Sequence, residues 1–195
     1  MLHIVDLFHG DIEAGIDFHK LKFDGVDGVL LKATQGDSYI DPKYADTMAR
    51  VRSVGFSVVG AYHFFTPDAP ADVQVEHFLS VAGLKAGEYA ALDTEQWGQG
   101  TPAHVLTALG LLDKAFGVKV IHYANKSDFA QYFAADPDRL RWVAAYGPRP
   151  NGATFWQFTD RARLQGETHV MDESVFFGTL AQFQKYAIPP TYNTS

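Results

Sequence analysis

Two acidic side chains stand two residues apart at the end of a short apolar run. The segment Tyr89–Leu92 is apolar and is followed by Asp93, Thr94 and Glu95. Alternate residues of a strand share a face, so Asp93 and Glu95 would point the same way with Cα atoms about 6.5 Å apart. Like charges this close raise the pKa of at least one group, which suits a general acid working near neutral pH. Two solvated acids in a loop would give the same pattern.

A third acid, Asp6, also ends a predicted strand. It follows the apolar segment His3–Val5. Active sites of α/β barrels lie at the carboxyl ends of the parallel strands, so Asp6 would enter the same mouth from another side. Taken alone, Asp6 is more readily explained as a cap of the next loop. Three acids at strand ends together favour a catalytic cleft.

Other chemistries have little support in the sequence. The chain has no cysteine, which excludes disulfides, thiolate nucleophiles and cysteine-type zinc sites. Its eight histidines show no metal-ligand spacing, so we expect neither a metal nor a cofactor. His63, within the segment Gly60–Phe64, is expected to be a buried, hydrogen-bonded core residue.

Composition narrows the class of protein further. The 195 residues are 47% hydrophobic and fit one domain with a substantial core. The net charge of -7 comes without a basic cluster, which argues against a nucleic-acid partner. No run approaches the roughly 18 apolar residues of a membrane span, and residues 1–11 do not resemble a signal peptide.

The elements that must position these acids alternate between strands and helices. Strands are predicted at His3–Leu7, Gly28–Ala33, Ser57–Phe64, Tyr89–Glu95, Val118–Tyr123, Trp142–Tyr146 and Thr154–Phe158. Helices are predicted from Asp41-Pro42 to Val54, Pro70 to Ala82, Thr101-Pro102 to Phe116, Ser127 to Ala134 and Gly178 to Tyr186. This order favours parallel strands joined by crossover helices, with strands alone after Trp142. We expect one barrel-like α/β domain at residues 1–188 and a loose tail at 189–195.

Aromatic residues make up 14% of the chain, and several fall near predicted strand ends. They are Tyr62, Trp97, Tyr123, Trp142, Tyr146 and Trp156. Each is at least as well explained by core packing as by sugar contact. The set exceeds what packing the end of a barrel requires and favours a sugar-binding cleft.

The order and spacing of several motifs resemble the family 25 glycoside hydrolases, the CH-type lysozymes. The resemblance covers nearly the whole chain, and its segments are Asp6, Ile16–Phe18, Leu31–Gly36, Tyr39–Pro42, Gly60–Phe64, Gln74 with Phe78, Leu92–Glu95, Tyr123–Asn125, Trp142–Tyr146, Phe155–Phe158 and Asp172 with Phe176 and Gly178. It implies a flattened, irregular TIM-like (β/α)5(β)3 barrel that forms one catalytic domain.

The resemblance also implies an activity and a set of roles. The expected reaction is hydrolysis of the β-1,4 bond between N-acetylmuramic acid and N-acetylglucosamine of bacterial peptidoglycan, with retention. Glu95 would be the general acid, Asp93 and Asp6 its partner carboxylates, and Asp172 a supporting acid. The candidate substrate contacts are Tyr62, Phe64, Trp97, Tyr123, Trp142, Tyr146 and Gln157.

Three segments depart from the family pattern. Leu7–Gly15 replaces a histidine-rich segment, Gln35 replaces the acid of K-A-T-E-G, and Ser174 replaces an asparagine. The main acids are unchanged, so these departures concern the sugar subsites and the preferred wall chemistry.

Two alternative functions stay open on the sequence alone. The same acids could cleave another N-acetylated glycan such as chitin, or the barrel could bind glycans without cleaving them. We expect a monomer that acts on the bacterial cell wall. It would be released from the cytoplasm, as phage endolysins are, or exported by a non-classical route.

Overall fold

A barrel of eight strands, with a ninth attached outside, forms the centre of the molecule. A computed structural model describes residues 1–95, 102–127, 136–163 and 169–192. The strands are β1 Leu2–Leu7, β2 Gly28–Gln35, β3 Tyr39–Ile40, β4 Val58–Phe64, β5 Tyr89–Asp93, β6 Ile121–Asn125, β7 Arg141–Ala144, β8 Phe155–Ala162 and β9 Met171–Phe176. Their order is β1-β9-β8-β7-β6-β5-β4-β2, and pairing of β1 with β2 closes the barrel. The expected TIM-like α/β barrel is thereby confirmed.

One strand of the barrel runs against the others. Six neighbouring pairs are parallel, namely β1–β2, β2–β4, β4–β5, β5–β6, β6–β7 and β7–β8. Strand β9 is antiparallel to both of its neighbours, β8 and β1. The short strand β3 pairs with β2 outside the closed ring. Parallel strands bring their carboxyl ends to one rim, and β9 brings its amino-terminal half to that same rim.

The strands have two different faces because their side chains alternate. Residues such as Ile4, Leu30 and Phe155 pack inside the barrel. Their neighbours, such as Val5 and Leu31, pack outward against the helices. Both faces are therefore apolar along most of each strand, as in other sheets covered on both sides. Polar side chains on the inward face occur where the strands reach the rim.

The helices cover the outside of the barrel. They are α1 His9–Glu13, α2 Phe18–Phe23, α3 Tyr44–Val54, α4 Ala71–Ala82, α5 Pro102–Phe116 and α6 Leu180–Phe183, followed by a 3-10 turn at Gln184–Tyr186. The Asp17 side chain caps α2 by accepting hydrogen bonds from the amides of His19 and Lys20. Helices α3 and α4 end at Gly55 and Gly83, whose φ angles of +74° and +50° suit glycine.

Several predicted boundaries were wrong. Helix α3 begins at Tyr44 rather than at Pro42, because the Asp41 carboxylate turns back to the amide of Lys43. Strand β5 ends at Asp93, so Glu95 lies just beyond the strand. The sequence prediction did not include β3 or β9 as strands. Most of the helix predicted at Ser127–Ala134 lies outside the described residues.

The described end of the chain contacts the body of the protein. Ile188 is buried, and Tyr192 packs on Phe116 with ring centroids 5.4 Å apart. The domain boundary at residue 188 stays a prediction. Among the described helices, none has the length and apolar character that crossing a bilayer requires.

Candidate active site

Four carboxyl groups reach one cleft at the carboxyl rim of the barrel. Asp6 lies near the end of β1, Asp93 ends β5, Glu95 follows it, and Asp172 lies near the start of β9. All four line the same cleft. The inward faces of the strands explain this, since Asp6 continues the row of Leu2 and Ile4. The structure thus brings together every acid that the sequence analysis singled out.

Asp6 and Asp172 face each other across two antiparallel strands. They are directly paired in the register of β1 and β9. Burial raises the pKa of Asp6 well above its usual value, and the charge of Asp172 adds to this effect. Burial also raises the pKa of Asp172 to about 7, and the charges of Asp11, Glu95 and Asp160 add to it. Since adjacent carboxylates resist double ionisation, this pair retains a proton close to neutral pH.

Asp93 and Glu95 are held by the segment that joins them. Thr94 between them is fully buried, and its hydroxyl contacts the Nε2 atom of His122 at 2.8 Å. The amide of Glu95 donates to the Asp93 carboxylate at 3.2 Å. Burial raises the pKa of Asp93 well above its usual value, and the charge of Glu95 adds to this, whereas the Glu95 amide and Lys32 oppose it. The two side chains therefore face one cleft although Glu95 lies past the strand.

A hydrogen-bond network connects Glu95 to Asp6 across the barrel. The Tyr123 hydroxyl lies 3.1 Å from Oε2 of Glu95 and 2.9 Å from Oε1 of Gln157. The Tyr146 hydroxyl donates to the same amide oxygen at 3.0 Å. The amide nitrogen of Gln157 donates to both carboxylate oxygens of Asp6, at 3.2 and 3.0 Å. The buried amide of Gln157 thus orients three polar side chains, those of Tyr123, Tyr146 and Asp6.

The predicted substrate contacts take up different positions. Tyr62, Phe64, Tyr123 and Trp142 line the cleft. Trp142 is largely buried, because its ring stacks on Phe155 and its Nε1 atom donates to Ser174. Gln157 is buried and Tyr146 is exposed, and the two meet at the network. Trp97 lies outside the described residues.

Sequence reasoning missed two lining residues, Lys32 and Phe8. Lys32 lies on the inward face of β2, two residues after Leu30, so strand alternation is a signal that could have identified it. Phe8 follows β1 directly and is 42% exposed, in the segment that departs from the family pattern. No local pattern in the sequence identifies Phe8 as a cleft residue.

His63 is a core residue, as predicted. It is fully buried, with its Nδ1 atom 2.7 Å from the Thr34 hydroxyl and its Nε2 atom 3.3 Å from the Gln74 side chain. Burial lowers its pKa to about 4, so the ring is neutral at ordinary pH. The described residues contain no group of three or more histidine, aspartate or glutamate side chains placed to hold a metal ion.

A comparison with known families identifies the family of this chain. The sequence profile of Glycosyl hydrolases family 25 matches residues 5–167, which include Asp6, Asp93 and Glu95. The chain belongs to glycosyl hydrolases family 25.

Individual relatives of the chain cover most of its length. YegX of Escherichia coli strain K12 is 32% identical over 171 residues, which are 80% of this chain and 61% of YegX. An autolytic lysozyme of Clostridium acetobutylicum is 29% identical over 174 residues, 83% of this chain and 52% of the relative. The chain thus spans about three fifths or less of these relatives.

Solved structures of family 25 share the barrel. A family 25 glycosyl hydrolase from Bacillus anthracis superimposes with a TM-score of 0.85 at 25% identity, covering 96% of this chain and 94% of that one. This coverage is wider than that of the sequence profile, which ends at residue 167.

Proposed function

We propose that this chain is a muramidase that hydrolyses the β-1,4 bond between N-acetylmuramic acid and N-acetylglucosamine in bacterial peptidoglycan. The observation that carries the proposal is the convergence of Asp6, Asp93, Glu95 and Asp172 in one cleft of a family 25 barrel. The name of the autolytic lysozyme among its relatives supports the same substrate. Glycosidic cleavage of this kind needs carboxyl groups and no metal.

Glu95 is the general acid in this proposal. It must hold a proton in the free enzyme and give it to the leaving glycosidic oxygen. The Tyr123 hydroxyl has one proton and two acceptors within reach, Glu95 and Gln157. While Glu95 is protonated, Tyr123 can donate to Gln157 and leave the carboxyl proton of Glu95 for the leaving oxygen. After proton transfer, Tyr123 can turn to donate to the glutamate anion. The same contact therefore supports Glu95 before and after the step.

Asp93 and Asp6 have different roles in the proposed reaction. Asp93 shares the Glu95 side of the cleft and, in this proposal, holds the substrate's N-acetyl group while that group attacks the anomeric carbon. Asp6 enters from β1 and, with Asp172, stabilises the positive charge that develops on the sugar ring. This substrate-assisted route gives retention of configuration. Direct attack by a carboxylate would also give retention.

Three measurements test the reaction and its route. Mass spectrometry of fragments from digested peptidoglycan reports which bond is cut, and a reducing end at N-acetylglucosamine would contradict a muramidase. Glycans that lack the N-acetyl group at the cleaved sugar should lose nearly all turnover if the route is substrate-assisted. Retained turnover on these glycans would favour direct attack, and an inverted product seen early by NMR would exclude both routes.

A glycosidase acting on chitin is the second candidate, because the same carboxyl groups would serve. Parallel assays on purified peptidoglycan and on chitin separate the two substrates. A glycan-binding barrel without activity should keep its function after loss of Glu95, whereas an enzyme should not. We propose that the natural site of action is the bacterial cell wall.

A further inference from the structure

Lys32 is the basic side chain that lines the acidic cleft in the part of the chain that the structure describes. It lies on the inward face of β2, two residues after Leu30. Four carboxyl groups share the cleft with it. An anionic substrate would be repelled by these carboxyl groups unless a cation received its charge.

The contacts of Lys32 leave most of its hydrogen-bonding capacity unused. Its Nζ atom donates to Oε1 of Gln35 at 2.6 Å and lies 4.5 Å from the ring centroid of Phe64 and 5.8 Å from that of Tyr39. Within the described residues, no carboxylate lies within 4.0 Å of this ammonium group. An ammonium group has three donors, so Gln35 occupies one and two stay available to a ligand.

Because Gln35 is neutral, its contact with Lys32 does not compensate the positive charge of the ammonium group. A glutamate at this position and distance would instead form an ion pair with Lys32. Burial lowers the pKa of Lys32, and the negative charges of Asp93, Asp41 and Glu95 oppose this effect. An amide and two aromatic rings therefore contact the ammonium group, and the Lys32 side chain also lines the cleft.

We propose that Lys32 is a specificity-determining residue that binds a carboxylate of the muramyl substituent. The inference rests on the proposed function, because muramic acid differs from glucosamine by its lactyl ether. That ether ends in a free carboxylate, or continues into a stem peptide with carboxylates of its own. Both sources offer the same anion to Lys32. The exposed rings of Phe8 and Tyr39 on this side of the cleft offer apolar contact to the rest of the substituent.

The test compares charged and neutralised substrates in turnover and in binding. The substrates are stem-bearing peptidoglycan and stem-free glycan, each with its carboxylates intact or converted to methylamides. The variants are Lys32→Met, which keeps an unbranched side chain, and Gln35→Glu, which supplies a competing anion. Lys185→Met, an exposed lysine outside the cleft, is the matched control. Binding of the same glycans is measured in a Glu95→Gln background by calorimetry, so it does not depend on turnover.

The wild type should lose about 10- to 100-fold in kcat/KM and in affinity when the recognised carboxylate is amidated, as expected for a charged hydrogen bond. Lys32→Met and Gln35→Glu should bind and cleave the intact and amidated forms alike, whereas Lys185→Met should behave as the wild type. A decrease in kcat/KM on amidation of the stem-free glycan would identify the lactyl carboxylate. A decrease on amidation of stem-bearing peptidoglycan would identify a carboxylate of the stem peptide.

Two results would overturn the proposal. One is that amidation of the glycan changes kcat/KM and affinity equally in the wild type and in Lys32→Met. The other is a decrease in kcat/KM of Lys32→Met that is equal on charged and amidated glycans and is accompanied by a displaced pH profile. That result would mean that Lys32 acts through Asp93. A wild type that binds with charge discrimination but cuts no glycan would contradict the muramidase proposal and leave the role of Lys32 supported.

Discussion

The carboxyl groups of Asp6 and Asp172 meet because two antiparallel strands place them directly opposite each other. Burial raises both pKa values, and the charge of Asp172 raises that of Asp6 further, whereas the hydrogen bond with Asp6 lowers that of Asp172. A site of this kind costs stability, since the protein holds acids where ionisation is unfavourable. The same arrangement gives the cleft groups that exchange protons near neutral pH, which acid–base chemistry requires.

Replacing Asp172 with asparagine should stabilise the protein increasingly as the pH rises. The folded pKa of about 7 lies above the unfolded value of about 3.9, so the folded state binds more protons between these values. The wild type therefore loses stability as the pH rises from about 4 to about 7, and asparagine cannot ionise. Tm measured from pH 4 to pH 8 should show a difference that grows with pH. The exposed Asp68→Asn serves as control, and a pH-independent difference for Asp172→Asn would contradict the raised pKa.

Replacing Glu95 with glutamine should abolish turnover and preserve the fold. Glutamine keeps the size of the side chain but has no proton to give to a leaving oxygen. The expected loss is about 10²- to 10⁴-fold or more in kcat on purified peptidoglycan, measured by release of reducing ends. Glu76→Gln, an exposed change on α4, should be without effect. Near wild-type turnover by Glu95→Gln would mean that another group is the acid.

At the scale of elements, close packing inside the barrel sets where the strands can lie. Gly60 is on the inward face of β4, where a Cβ atom would lie 2.5 Å from Leu30 and still closer to the carbonyl oxygen of Tyr89. The small residue lets β4 approach β5, the strand that carries Asp93. Gly110 on α5 differs, since a Cβ atom there would meet nothing within 4 Å.

The same substitution at these two glycines should have opposite effects. Gly60→Ala should destabilise the protein by about 1–3 kcal/mol, because the added methyl group overpacks the barrel. Gly110→Ala should stabilise it by about 0.5–1 kcal/mol, because alanine is the better helix former at an exposed position. Denaturant unfolding with comparable m-values checks both. A stabilising Gly60→Ala would show that β4 and β5 have room to separate.

At the scale of the whole molecule, the cleft titrates as one coupled system. Asp6, Asp93 and Asp172 all have raised pKa values, and each is influenced by at least one of the others. The apparent pKa values of the reaction therefore belong to the group of acids together. The barrel produces this coupling, because acids from β1, β5 and β9 converge only when the sheet closes.

The rate should follow a bell-shaped pH profile with its optimum on the acid side of neutral. Glu95 must be protonated while at least one partner carboxylate is ionised. We expect the measurement of kcat/KM on soluble glycan fragments from pH 3 to pH 9 to show two limbs. Activity that keeps rising through pH 9 would contradict a carboxylic acid as the proton donor. A chelator such as EDTA should leave the profile unchanged.

Local sequence patterns were sufficient for much of the fold and for most of the acids. Apolar runs bounded by glycine and proline identified seven of the strands, and helices α4 and α5 end where predicted. Asp6, Asp93 and Glu95 were found because each follows an apolar run, which is a property of neighbouring residues. Asp172 could be named only through the family resemblance, since β9 has polar residues at Asp172, Glu173 and Ser174 and lacks the apolar pattern of a strand.

Tertiary structure decided what depends on residues far apart in the chain. The sequence alone determined that the chain forms an α/β barrel with acids at its strand ends, because strand periodicity and helix caps act over a few residues. Only the closed sheet set Asp172 against Asp6, 166 positions earlier in the printed sequence. The burial that comes with closure raises both pKa values. Only the folded cleft showed that Lys32 meets the neutral Gln35 and two ring faces. Burial and charge depend on all the elements that surround a side chain, and no local pattern carries that information.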